Sequence, residues 1–167
     1  HTGVTVIDTL DFDSDGDADI FLGYEQPSHY RFLENTPSGH LETTAVNLDS
    51  VPLSSDWSDF DGDGDLDLAL GMLTSVRVYR NDSGALTPYW TSPSVGRIID
   101  LSWGDFNEDG MLDLVVAVSN SPDQLHLYED TSDSFSLSWS QTRDDYILTV
   151  KLIDWDLDGE LDHMVAK

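Results

Sequence analysis

The residues best placed for chemistry lie in one stretch, Asp59-Phe60-Asp61-Gly62-Asp63-Gly64-Asp65-Leu66-Asp67, which sets five carboxylates on alternate positions. Carboxylates this close repel one another, and partial burial costs several kcal/mol for each unpaired charge. A hard divalent cation removes both penalties. Calcium takes about six to eight oxygens, and a loop with acids at positions 1, 3 and 5, a turn glycine at 6 and a backbone carbonyl at 7 supplies them. Asp59, Asp61 and Asp63 stand at positions 1, 3 and 5, Gly64 at 6, and Asp67 at 9 adds a fourth side chain.

The pattern recurs as Asp11, Asp13, Asp15, Gly16 and Asp19, as Asp105, Asn107, Asp109, Gly110 and Asp113, and as Asp154, Asp156, Asp158, Gly159 and Asp162. The first ligands, at 11, 59, 105 and 154, are 48, 46 and 49 residues apart. A fixed period of this size marks a solenoid, a propeller or an array. Four calcium sites are therefore expected. They are not equal: the second loop carries five acids counting Asp65, whereas the third has Asn107 and Met111. Fewer charges predict weaker binding there.

Composition narrows the partners. Among 167 residues, 7 basic side chains face 33 acidic ones, a formal net charge of −26. Nucleic acid is excluded as a partner, because phosphate binding needs the opposite sign. Anionic membrane surfaces are disfavoured likewise, and no apolar run is long enough to cross a bilayer. The chain is nevertheless not of the disordered acidic type, having 5 Trp, 6 Tyr and 6 Phe. It has no cysteine, so cross-linking in an extracellular setting would come from metal rather than disulfides. Millimolar extracellular calcium suits such loops, and an extracellular or cell-surface location is expected. A leader removed before His1 is compatible with that. Asn81-Asp82-Ser83 is a glycosylation sequon.

These loops need elements to hold them. Val4 to Leu10 reads as a strand leading into the first loop, and Asp19 to Gly23 leads out of it. Later exit runs are Leu66 to Leu70, Leu112 to Val118 and Leu161 to Ala166, short and apolar as in strands buried on both faces. Third segments follow at Tyr30 to Asn35, Val76 to Asn81 and Leu125 to Asp130, and fourth segments at Leu41 to Leu48, Leu86 to Trp90 and Phe135 to Trp139. Four short strands per period, with tight turns and no helical periodicity, predict an all-β fold of propeller-type blades. The repeats span about residues 4–50, 51–95, 96–144 and 145–167, the last incomplete. The chain is read as one segment of about three and a half repeats, a partial or open propeller. Blades cannot bury both faces alone, so neighbours must stack. An EF-hand is excluded, because position 12 is Leu22, Leu70, Val116 and Val165 rather than a bidentate Glu between helices.

The stretches GDFNEDGMLDLVVAV and SDFDGDGDLDLALG, with VYRNDSGAL in the turn between third and fourth strands, resemble the FG-GAP/VCBS repeat family. Those repeats are the blades of the integrin α-subunit propeller and of many secreted propellers, some of them lectins. The resemblance implies that each loop joins the two innermost strands of a blade and that calcium ties the hairpin. It also implies that the carbonyls of Asp17, Asp65, Met111 and Glu160 complete the ligand sets. Two departures stand out: the repeats number three and a half rather than a full ring, and His163 replaces Ile20, Leu68 and Leu114 in the last exit strand, which is expected to be more exposed.

The remaining signals are read mainly as packing. Phe12, Phe60, Phe106 and Trp155 at position 2 of each loop, and Trp57 and Trp103 just before two of them, are expected in the core. Trp90 and Trp139 in the outer strand are divided evenly between inter-blade packing and a partner surface. Arg31, Arg77 and His126 recur in the third strand and are read as a solvated or salt-bridged face against acids of the next blade. No nucleophile motif or histidine cluster appears, and no enzymatic activity is expected. The expected function is an extracellular, calcium-stabilised structural or adhesion module acting in assembly or recognition through open blade edges. Its partners would be other protein chains, further head-to-tail copies of itself included. The alternatives are a propeller lectin binding glycans and an accessory propeller of a secreted enzyme.

Overall fold

Short runs of β-branched and aromatic residues broken by Gly, Asp and Ser turns leave little for the chain to form except hairpins. The computed structural model describes residues 3–153 and the backbone of residues 162–166. Sheet one contains β1 (Val4–Leu10), β2 (Asp19–Tyr24), β3 (His29–Thr36), β4 (Gly39–Glu42) and the two-residue β5 (Val46–Asn47), which also pairs with β3. Sheet two runs β6 (Pro52–Ser58), β7 (Asp67–Met72), β8 (Val76–Asn81), β9 (Leu86–Thr91). Sheet three runs β10 (Arg97–Gly104), β11 (Asp113–Ser119), β12 (Asp123–Asp130), β13 (Phe135–Arg143). A hairpin of β14 (Thr149–Ile153) and β15 (Asp162–Ala166) follows. All pairings are antiparallel, and the described residues contain no helix and hence none long and apolar enough to cross a membrane. The fold is all-β and propeller-type, with sheets of four antiparallel strands that do not close into a ring.

The sheets stack face to face through the first strands, β1 against β6, β6 against β10 and β10 against β14. Period-2 alternation then sends successive side chains to opposite neighbours. Leu68, Leu70 and Met72 of β7 pack toward sheet one with Val6, Leu10, Phe12, Phe21, Tyr30 and Phe32, while Ala69 packs toward sheet three. Leu114, Val116 and Val118 of β11 pack toward sheet two, while Val115 and Ala117 pack against Val150 of β14 and Ile147 just before it. The core is thus three slabs between sheets rather than one centre, and β7 and almost all of β11 are buried on both faces. The first exit strand departs from that expectation. β2 alternates buried and half-buried, because among the described residues no sheet covers one face of sheet one, leaving Ile7 64% exposed beside Ile20, Leu22 and Leu33.

Polar side chains of the first strands tie each sheet to the next. The Asp8 carboxylate accepts from the Ser55 hydroxyl and from Trp57 Nε1 at 3.1 Å. Asp56 Oδ2 accepts from Trp103 N at 2.9 Å, and the Asp56 carbonyl from Trp103 Nε1 at 3.2 Å. Asp100 Oδ2 accepts from Val150 N at 3.0 Å. The indoles of Trp57 and Trp103 are therefore packed with a hydrogen-bonded edge, Trp103 buried and Trp57 half-buried.

Several local expectations are corrected. The segment from Leu41 to Leu48 is not one strand but two fragments, with Leu41 and Val46 exposed. Phe12 and Phe60 are buried at 4% and 7%, but Phe106 is 36% exposed. The first two are covered by rings of the next sheet, Phe12 by Trp57 and Phe60 by Trp103 and Phe135, whereas Phe106 borders a groove with Leu127 and Trp139. Trp90 packs between sheets on Tyr128 and Phe135, while Trp139 is 39% exposed. Arg31 and Arg77 are salt-bridged as expected, but to Glu42 of the same sheet and to Asp49 of the connection before β6, not to acids of the next blade. His126 is buried and bonded to Gln124, on the same face of β12 as Tyr128, which packs toward sheet two. Trp155 lies outside the described residues, as does the side chain of His163.

Close stacking leaves a steric signature at Gly71. A methyl group there would overlap Ser54 Oγ and sit 2.6 Å from Ile98 Cγ2. Gly71→Ala should destabilise the fold by about 1–3 kcal/mol, seen as a lower urea midpoint at unchanged slope. A midpoint equal to wild type would show that sheets two and three have room to spare.

Candidate metal centres

The acidic loops between β1 and β2, β6 and β7, and β10 and β11 fold alike, because each carboxylate is recruited by backbone N–H groups of its own loop. The N–H of the position-6 glycine donates to Oδ2 of position 1: Gly16 to Asp11 at 3.1 Å, Gly64 to Asp59 at 3.1 Å and Gly110 to Asp105 at 2.9 Å. The N–H of position 7 donates to Oδ1 of position 5: Asp17 to Asp15, Asp65 to Asp63 and Met111 to Asp109, each at 2.9 Å. Gly16, Gly64 and Gly110 have φ of 93°, 99° and 87°, which explains the glycine read from sequence. Position 4 is left-handed too, with φ of 61° at Ser14, 76° at Gly62 and 58° at Glu108. That requirement had no sequence signal, since three unlike residues meet it.

Position 9 does more than the sequence reading assigned to it. Asp19, Asp67 and Asp113 are buried, and each carboxylate joins two parts of its sheet. Oδ2 accepts the N–H of the position-2 aromatic, Phe12, Phe60 or Phe106, at 3.1, 3.0 and 3.1 Å. Oδ1 accepts a third-strand N–H, from Asn35, Asn81 or Asp130, at 2.8, 2.8 and 3.1 Å. Burial pushes the Asp67 and Asp113 carboxyls up to about 6, against the opposing pull of these N–H donors. Asp13 and Asp61 are also raised, first by lost hydration and then by the neighbouring carboxylates Asp15 and Asp63.

Carboxylate oxygens converge in two of the three described loops. Those of Asp11, Asp13 and Asp15 lie within 4.8 Å of one another, as do those of Asp59, Asp61 and Asp67. Asp19 and Asp63 stand outside these triads, and the third loop forms none, its position 3 being Asn107 with Oδ1 accepting from Asp109 N. Asp11 Oδ1 is buried without a hydrogen-bond partner among the described residues. Arg80 lies 3.2 Å from Asp61 Oδ2 and stacks on Tyr89. An orphaned anionic oxygen beside two further carboxylates fits a hard cation, which takes only oxygen ligands. The residues Asp154, Asp156, Asp158 and Glu160 of the last loop lie outside the described residues, and Asp162 is described only as the first residue of β15.

Two residues that the sequence reading gave other roles, a loop acid and a sequon asparagine, bind the loops to each other. Asp65 projects its carboxylate to Ser14 Oγ at 2.9 Å and to Ser83 N at 2.8 Å, and these bonds hold it below the usual carboxylate range. Asn81 is 1% exposed, with Nδ2 donating to the carbonyls of Phe12 and Leu66 and Oδ1 accepting from Gly84 N. A side-chain amide so engaged cannot carry a glycan in the folded protein, so the sequon is structural.

The FG-GAP-like repeat matches three times, over residues 11–70, 59–116 and 105–165. This chain belongs to the FG-GAP-like repeat family. No curated protein sequence matches it. Among solved structures it is similar to BBS1N, crystallised in complex with ARL6DN, at 17% identity and a TM-score of 0.65 over 99% of this chain and 48% of that one. It is also similar to the rhamnogalacturonan lyase PL11 of Bacillus licheniformis, at 14% identity and a TM-score of 0.65 over 98% of this chain and 40% of that one. The FG-GAP chain thus spans about half the length of the structures it resembles, and the likeness is one of fold.

The raised carboxyls give a pH dependence of defined sign. A group bound to its proton more tightly in the fold than in the unfolded chain stabilises fully below the unfolded value of 3.8 and loses that contribution as pH rises through about 6. In excess chelator, the melting temperature should therefore rise as pH is lowered from 7 toward about 5, with relief of the −26 charge acting in the same direction. A steady fall over that window would show that Asp67 and Asp113 are not held protonated by the fold.

Proposed function

We propose that this FG-GAP protein is an extracellular, calcium-stabilised structural module that acts in assembly or recognition of other proteins rather than in catalysis. The observation that carries the proposal is the repeated loop, whose backbone bonds fix the acids in place while leaving carboxylate oxygens converging, with Asp11 Oδ1 unpartnered. The side chains of Asp11, Asp13 and Asp15, and of Asp59, Asp61 and Asp67, would hold the ions, the family pattern adding Asp19, Asp63 and the third-loop acids. Bound calcium would supply the positive charge that lets these acids stay ionised beside one another. A folded-state ligand at a hundredfold excess over Kd stabilises by about 2.7 kcal/mol per site.

A protein partner is supported by the propeller fold and by the BBS1N relative, which was crystallised with another protein. The face to which the partner binds is that of sheet one bearing Ile7, Ile20, Leu22 and Leu33. These occupy the repeat positions of Ser55, Leu68, Leu70 and Tyr79, and the last three of those pack onto the preceding sheet inside this chain. The occupant is therefore a further blade of the same kind, presenting aromatic residues like Phe21, Tyr30 and Phe32. A second reading, glycan binding, is favoured by the exposed Trp139 and Phe106, which line a cavity of about 350 Å³ with Glu129 and Ser138. An aromatic ring beside polar groups suits a sugar face, and a glycan array with Trp139→Ala as control separates the two readings.

Chelation should lower the melting temperature sharply at pH 7, with calcium restoring it and magnesium doing so poorly, because magnesium resists such flexible geometry. An unchanged melting curve would overturn the calcium reading. In millimolar calcium, sedimentation velocity should show concentration-dependent association that Ile7→Asp with Leu22→Asp abolishes. A strict monomer at every concentration would exclude self-assembly through this face.

A further inference from the structure

The first two acidic loops are joined to each other, and among the described residues no such bond joins the second and third. Ser14, at position 4 of loop one between the acids Asp13 and Asp15, donates its hydroxyl to Asp65 at position 7 of loop two, 2.9 Å away. The Asn81 amide lies between the same loops, donating to the Phe12 carbonyl of loop one at 2.9 Å and to the Leu66 carbonyl of loop two at 3.1 Å. The backbone of the adjoining turn lies close by, a methyl at Gly84 falling 3.2 Å from Asp13 Cβ. At the next junction all three side chains are replaced. Position 4 is Gly62, with no hydroxyl, position 7 is Met111, with no carboxylate, and the place of Asn81 is taken by Asp130, with no amide. The Met111 sulfur instead meets Ser132 Oγ of its own sheet at 3.3 Å.

We infer that Ser14, Asp65 and Asn81 couple loops one and two, so that these bind calcium with positive cooperativity while loop three binds independently. This rests on the calcium reading above. The side chain of Asp65 is here a positioning group. It fixes the backbone whose carbonyl the family pattern assigns to the ion, while its carboxylate is held by Ser14 and Ser83. A loop of crowded carboxylates is ordered by its ion, and ordering Asp13, Ser14 and Asp15 sets the hydroxyl that Asp65 requires. The second ion then meets a loop already partly ordered, which is cooperativity without a change of shape.

The experiment follows the amide resonances of Gly16, Gly64 and Gly110, position 6 of the three loops, by NMR during titration with calcium chloride. In the wild type, Gly16 and Gly64 should respond together and steeply, and Gly110 separately. Asp13→Ala, which removes a ligand from loop one, should weaken the Gly64 response roughly threefold to tenfold, the scale of one or two hydrogen bonds, and leave Gly110 unmoved. In a Ser14→Ala background, which touches no ligand, Asp13→Ala should cost the Gly64 response much less. If Gly64 responds to calcium identically in wild type and Asp13→Ala, the coupling is overturned and the calcium reading stands. If no glycine amide responds at all, the calcium reading falls and the coupling with it. Joint replacement Gly62→Ser with Met111→Asp, which installs the missing pair, should make the Gly64 and Gly110 responses move toward one another, and their staying independent would show that these groups do not transmit binding.

Discussion

A carboxylate placed out of water must be given back what water supplied. Asp19, Asp67 and Asp113 meet that demand identically, with one backbone N–H on each oxygen, from the start of the loop and from the third strand. These buried groups are where loop, inner hairpin and third strand meet, so the rest of each sheet is assembled around them. They also explain the loop's shape. Once position 9 is anchored inside, positions 1 to 5 must turn back over it, and the left-handed residues at positions 4 and 6 make that turn. The loop's acids then point at one another at the surface, which is tolerable only with compensation from N–H donors, from Arg80 at Asp61, or from a cation.

Stacking supplies what hydrogen bonding cannot. The exit strands of sheets two and three bury both faces, and the small residues Gly71 and Ala117 stand at the same place in them, where the next sheet comes close. The slabs between sheets are not copies, however. Between sheets two and three, Trp90 sits against Tyr128 and Phe135. Between sheets one and two, the position paired across from Phe32 is Thr43, whose hydroxyl accepts the Phe32 N–H. The smaller residue leaves a cavity of about 300 Å³ lined by Phe12, Tyr30, Phe32 and Leu86, and the fourth strand breaks in two beside it. One blade fold thus accepts different fillings, because backbone pairing and the position-9 anchor set its frame.

The loops differ in the same way. Their internal bonds are repeated almost atom for atom, yet what lies between them changes with each junction. Loop one is held to loop two by Ser14, Asp65 and Asn81, and loop two has only glycine facing the corresponding place on loop three. Arrays of like units are usually described as sums of unit and neighbour contributions. Here the units are nearly equal, and the neighbour contributions carry the individuality.

Much of this protein was legible without coordinates. The spacing of Asp, Asn and Gly, the apolar runs after each loop and the period between them specify strand order, loop position and family, because these are local and repeat. Val4–Leu10 and Val76–Asn81 are strands over the residues expected, and most other limits differ by one or two, but β13 runs four residues past Trp139 to Arg143 and the segment from Leu41 to Leu48 is broken. The lateral contacts were not legible. That Phe106 and Trp139 are exposed while Phe60 is buried and Trp90 is half-buried between sheets depends on which residues the adjoining sheet presents, and the same local pattern occurs in both cases. His126 is buried and Arg77 turns back to Asp49 for the same reason. Asp65 read as one more acid of a loop, and Asn81 as a glycan acceptor, until stacking brought Ser14 and the Phe12 carbonyl beside them. The sequence by itself determined each blade and its acidic loop, through short-range periodicity and turn chemistry. Only the tertiary structure decided which faces stay open and which loops touch, because those contacts join residues about fifty or more positions apart, such as Ser14 and Asp65 or Phe12 and Asn81, whose pairing no local pattern encodes.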